Sequence, residues 1–183
     1  MNNKLLVSAI SITSALALMG GVTFALFSST ASNAGNTFGA GDMVLKINGS
    51  QTASTPIFTI ANAKPDDVFG PQVIILTNTG SIAATSTTLT GITVTPTGSP
   101  NLGDKMTLVL YNDVDNSGTY TGGDTEIGSG HLTDLGWANL SLGFGLAASG
   151  QHMVLAKLTL DHDTDNTYHG TSVTFDFNFR ADQ

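Results

Sequence analysis

Residues 113–124 read DVDNSGTYTGGD, and their oxygen-bearing side chains fall at the spacing of a calcium loop. The template D-x-D-x-[DNS]-G-x5-[DE] would take side-chain oxygens from Asp113, Asp115 and Ser117. It would bend at Gly118, use the carbonyl of Thr119 and close with Asp124 at the twelfth position. Calcium is the ion such an all-oxygen set would hold, at millimolar-range affinity for an extracellular loop. Two departures count against it. The preceding MTLVLY has the composition of a strand rather than a helix, and Asp124 is shorter than the Glu that clamps an ion with both oxygens. The same residues fit a hairpin loop whose Asp and Asn side chains bond their own backbone. Both readings stand on the sequence.

A second acidic stretch, Asp161–His169 (DHDTDNTYH), holds His162, His169 and three acids. Zinc needs three or four ligands in fixed geometry. The chain has no H-E-x-x-H run, and His131 and His152 lie far from this loop in sequence. A solvated acidic loop between two strands is the favoured reading. Without a cysteine nucleophile or a Ser/His/Asp signature, the residues predict no enzyme. The balance of 14 acids against 6 Lys and Arg, a formal charge of −8, makes nucleic acid a poor partner. The row Phe175, Phe177, Phe179 then reads as core rather than as a base-stacking platform, and Trp137 as buried packing.

The elements that must position these residues are strands. The 21 glycines, the many Thr, Ser and Asn, and a charged fraction of 11% favour turns and strands over helices. Met43, Leu45 and Ile47 alternate with polar or outward positions. Pro56–Ile60 is a short apolar run, and Asn62–Gly70 a loop. Gln72–Thr77 is a continuous buried-type strand. Further strands are expected at Leu89–Thr95, Met106–Tyr111 and Met153–Leu160, with a polar hairpin loop at Asn112–Gly123. Ser141–Leu146 is ambiguous, and Thr133–Leu140 could hold one short turn around Trp137. Thr171–Arg180 alternates most cleanly, with Val173 and the three phenylalanines on one face. Seven to nine strands at this spacing predict an all-β, two-sheet antiparallel sandwich.

The N-terminus reads differently. Lys4, the uncharged apolar run Leu5–Met19, Gly20-Gly21 and the small residues Thr23 and Ala25 form a secretory signal, cleaved between Ala25 and Leu26. An uncleaved membrane anchor is the rival, since about 20 apolar residues span a bilayer. Cleavage removes Lys4 and no acid, leaving 5 − 14 = −9. The chain then divides into a signal peptide at 1–25, a mature N-terminal segment at 26–41 and a sandwich domain at 42–183. The segment Leu26, Phe27, Ser28, Ser29, Thr30, Ala31, Ser32, Asn33, Ala34, Gly35, Asn36 is long enough to cross a sheet. Disorder is the ordinary fate of such a terminus. The alternative is a donated strand: a neighbour's strand satisfies an open sheet edge, and a head-to-tail contact that does not close makes a filament.

Phe27-Ser28-Ser29-Thr30 followed by GNTFGAGDMVLKIN at residues 35–48 resembles the TasA/camelysin family of secreted proteins. The stretch Leu110–Ile127 and the ending DNTYHGTSVTFDFNFRADQ are similar to it in the same order. The resemblance implies a dedicated type of signal peptidase and a jelly-roll fold. It implies extracellular fibres or surface pili, as matrix fibres in bacteria or bundling pili in archaea, joined by donor-strand complementation through Leu26–Asn36. The partners it implies are copies of the same chain and neighbouring filaments, with the membrane touched only through the signal segment. The family name also carries a peptidase claim, which the residues above do not support. The expectation is a secreted structural subunit. A singly anchored, calcium-dependent binding module is the rival, and a secreted metallopeptidase a third reading.

Overall fold

The computed structural model of the chain describes residue 3, residues 40–51 and residues 56–183. Met1–Ala25, the Ala25/Leu26 junction and the Leu26–Asn36 segment lie outside the described residues, apart from Asn3. The chain divides into two compact units, Met1–Gly39 and Ala40–Gln183, and the described strands all belong to the second.

Ala40–Gln183 is all-β. Its eight described strands are β1 (Leu45–Ile47), β2 (Val68–Asn78), β3 (Ser86–Thr97), β4 (Met106–Asp113), β5 (Thr125–His131), β6 (Leu140–Ser141), β7 (Gln151–Leu160) and β8 (Ser172–Asp182). Three short 3-10 turns complete the set, and one of them, Leu135–Trp137, is the turn expected around Trp137. Every pairing is antiparallel. A five-stranded sheet runs β1-β2-β7-β4-β5, and a three-stranded sheet runs β6-β3-β8. Among the described residues no helix is long and apolar enough to cross a membrane.

The core follows from period-2 alternation. Ile74 and Leu76 of β2, Leu108 and Leu110 of β4, and Val154, Ala156 and Leu158 of β7 are fully buried, as is Leu89 of β3. Each such leucine contributes about 1.5–3 kcal/mol by leaving water. In β8 the even-numbered residues Thr174, Asp176, Asn178 and Arg180 are exposed, while Val173, Phe175, Phe177 and Phe179 turn inward. Only Phe177 of that row is buried; Phe175 and Phe179 stay partly exposed. The expected face is correct, but its cover is incomplete.

Polar groups inside are bonded. Asn78, fully buried, accepts from the N–H groups of Val44 (3.3 Å) and Gly80 (3.0 Å). It donates to the carbonyls of Ile82 (2.7 Å) and Ala147 (3.2 Å). One side chain thereby ties the approach to β1, the β2–β3 turn and the approach to β7.

The apolar run Pro56–Ile60 is an irregular segment with no β partner among the described residues. The loop expected through Gly70 ends earlier, because β2 begins at Val68 and continues past a bulge between Phe69 and Gln72. Ser141–Leu146 resolves into the two-residue β6 and one bridge from Leu146 to Ala84. The strand β5, which patterning does not single out, reads TEIGSGH. Its glycines hide the alternation, and it exists because β4 offers an edge across the hairpin.

Candidate metal centre

The β4–β5 hairpin carries the acidic loop. Asp113 is the last residue of β4 and has no exposed surface. Its side chain folds the loop back on itself: Oδ1 accepts from the Ser117 N–H (3.1 Å), and Oδ2 from the Gly118 N–H (2.7 Å). Gly118 stands at φ +73°, the left-handed region where glycine has no steric cost. The Ser117 N–H is shared with Asp115 Oδ1 at 3.0 Å. Hydrogen bonding from Ser117 is the main cause holding the Asp115 carboxyl below its ordinary range, with Asp113 a second cause. At the far end Asp124 Oδ2 accepts from the Thr121 N–H (2.6 Å), and Oδ1 from the Val114 N–H (3.1 Å).

The loop is also docked. Asn116, at φ 52°, accepts the Met153 N–H of β7 on its Oδ1 at 2.9 Å. Tyr120 packs on Tyr111 of β4 with ring centroids 4.7 Å apart. Neither anchor stood out in the sequence. An Asn beside a Ser-Gly bend was the one available signal.

Asp113, Asp115 and Asp124 each bring a carboxylate oxygen to within 4.8 Å of the others. Among the described residues this is the group of three or more His, Cys, Asp or Glu that converges in this way. Three of the five expected ligands are therefore assembled. The remaining two engage one another: the Ser117 hydroxyl donates to the Thr119 carbonyl oxygen at 3.0 Å. Like charges this close repel, and a divalent cation between them would relieve the repulsion. The backbone N–H bonds relieve part of it without one. The donor set is oxygen only, which suits a hard cation such as calcium. It lacks the histidines that catalytic zinc sites use.

The second acidic loop does not converge. His162 Nδ1 lies 2.7 Å from Asp66 Oδ2 of the 62–67 loop, and His131 Nε2 lies 2.8 Å from Asp161 Oδ2. Lys105 Nζ pairs with Asp163 at 2.6 Å, and Asp165 accepts from the Thr167 N–H at 2.9 Å. Each acid has a separate partner. His152 bonds to neither loop: its Nε2 meets Asn112 Oδ1 at 2.6 Å and its ring lies 3.9 Å from that of Phe144. Trp137 is buried, its Nε1–H donating to the His131 carbonyl at 2.6 Å, as expected of packing.

The family model that matches this chain is described as camelysin metallo-endopeptidase and covers residues 1–183. No curated protein matches the chain.

Proposed function

The chain belongs to the TasA/camelysin family, and from that premise we propose that it is a secreted structural subunit. It leaves the cell on the signal Met1–Ala25, is cut after Ala25, and polymerises into extracellular fibres. The freed Leu26–Asn36 segment enters the sandwich of the next copy as a strand, and the sandwich is a jelly roll. The observation carrying this reading is the imbalance of the two sheets. Five strands face three, and the three-stranded sheet ends in β8, whose outer edge has no strand partner among the described residues. An unpaired edge of that length invites pairing. The donor run contains no charge and no proline, so each of its residues can join a ladder.

The family description carries a peptidase label. We assign no peptidase role to this chain. Among the described residues the converging group is three carboxylates without histidine, and the sequence lacks H-E-x-x-H.

A second reading rests on the Asp113, Asp115, Asp124 cluster: a calcium-dependent binding module held singly at the surface by an uncleaved N-terminus. Two versions of the chain decide between them under negative-stain electron microscopy. One begins at Leu26, the other at Thr37. Fibres from the first and folded monomers from the second support strand donation. Fibres from both place the contact elsewhere, and monomers from both favour the anchored module.

A further inference from the structure

Pro56–Ile60 packs on the phenylalanine face of β8, with the Phe58 ring 6.1 Å from that of Phe175 and the run lining one groove with residues 173–177. Ile57, Phe58 and Ile60 pack against the core from this position. Yet among the described residues no backbone hydrogen bond joins Pro56–Ile60 to β8 or to any other strand. Pro56 has no N–H to give. The segment thus covers apolar surface while leaving the ladder positions of β8 unused. The cover is also poor. A groove of about 570 Å³ runs along it between Ile47 of β1 and the 173–177 stretch of β8, and a second of similar volume opens on its other side, toward Leu102 and Tyr168. Phe175 and Phe179 remain partly exposed.

We infer that Pro56–Ile60 is a displaceable cover over the acceptor site. The acceptor is the outer edge of β8, and its occupant is Leu26–Asn36 of a second copy. The inference rests on the strand-donation reading and adds to it where the strand lands and what it evicts. The lengths agree: β8 has 11 residues, and so does Leu26–Asn36. On one face of the added strand the donor's Phe27 replaces the apolar contact of Phe58, and its backbone supplies the hydrogen bonds that the cover cannot. The exchange is favourable because contacts are substituted while a ladder is gained. Before it happens, the cover shields the phenylalanines and holds the edge against unwanted pairing.

Hydrogen exchange on the chain beginning at Leu26, as monomer and as fibre, tests this first. The amides of 172–182 should slow by about tenfold or more in the fibre, and those of 57–60 should not slow with them. Fibres in which β8 exchanges as in the monomer, or in which 57–60 becomes the protected segment, overturn the inference and leave strand donation standing. Failure to form fibres at all overturns both. A second test uses the absence of cysteine from the chain. The double variant Phe58→Cys, Phe175→Cys is joined by a short bis-maleimide or capped at each thiol with N-ethylmaleimide. The capped form should polymerise and the joined form should stay monomeric. Equal polymerisation of the two overturns the displaceable cover.

Discussion

Asp113 illustrates how a single buried carboxylate can serve two ends. It has no exposed surface, and both of its oxygens accept backbone N–H groups from the loop it closes. Asp113→Asn keeps the shape but turns one acceptor into a donor facing an N–H. A loss of about 1–3 kcal/mol in urea unfolding is expected. If the loop holds calcium, the variant also loses the rise in Tm that millimolar calcium gives the parent chain; a parent chain whose Tm calcium leaves unmoved removes the ion from consideration. Two histidines make opposite predictions about pH. Asp66 raises His162 above its ordinary 6.5, first by hydrogen bond and then by charge. That contribution is present in full below 6.5 and is lost as pH rises through the folded value. Burial lowers His152, opposed by the charge of Asp113. Its contribution is present above 6.5 and is lost as pH falls through the folded value. His162→Gln should therefore lower Tm at pH 5.5 more than at pH 8, while His152→Gln should narrow the parent chain's own loss of stability on acidification. Thermal scans of the three proteins at the two pH values check both signs.

Strands, the next scale, were legible wherever one face is wet. The alternation of Thr171–Arg180 predicted both β8 and the inward phenylalanines, and Met106–Tyr111 and Met153–Leu160 coincide closely with β4 and β7. Legibility failed where pairing rather than patterning decides. β5 forms because it can complete a hairpin, and Pro56–Ile60, apolar enough for a strand, packs without one. The three acids of the hairpin were also legible from spacing alone, because a 12-residue loop closed by a two-strand ladder must bring its ends together. The anchors Asn116 and Tyr120 were not, since their partners Met153 and Tyr111 lie on strands whose register no local pattern reveals. Close approach between elements yields a sharper prediction. A Cβ placed on Gly80 would overlap the Asp42 carbonyl oxygen and lie 2.7 Å from the Met43 Cα. Gly80→Ala must therefore push residues 42–43 off the β2–β3 turn and strain the Asn78 bond to Val44. The expected cost is about 1–3 kcal/mol, with faster amide exchange confined to β1 and its neighbours. Exchange that rises evenly through the sandwich would mean that the contact supports the whole core rather than that one strand.

Ten of the 14 acids lie outside the strands, and the strands carry most of the buried apolar residues among those described. On the proposed removal of Met1–Ala25, 5 basic residues remain against 14 acidic ones, a charge of −9. On the proposed strand donation the contact along a fibre is uncharged on the donor side, so its strength should depend little on salt. Contacts between fibres are a different matter. Like-charged fibres repel over a Debye length, about 30 Å at 0.01 M salt and about 3 Å at 1 M. Fibres should therefore stay single at low ionic strength and gather sideways as sodium chloride is raised, without shortening. Calcium should produce the same gathering at far lower concentration if it bridges acidic loops, and at matched ionic strength if it only screens. Micrographs across the two salt series, with fibre length and bundle width measured separately, check this. Fibres that bundle at low salt and disperse at high salt would mean that opposite charges attract between them, and that the basic residues Lys105 and Arg180, each near an acid in the monomer, are recruited to a neighbour instead.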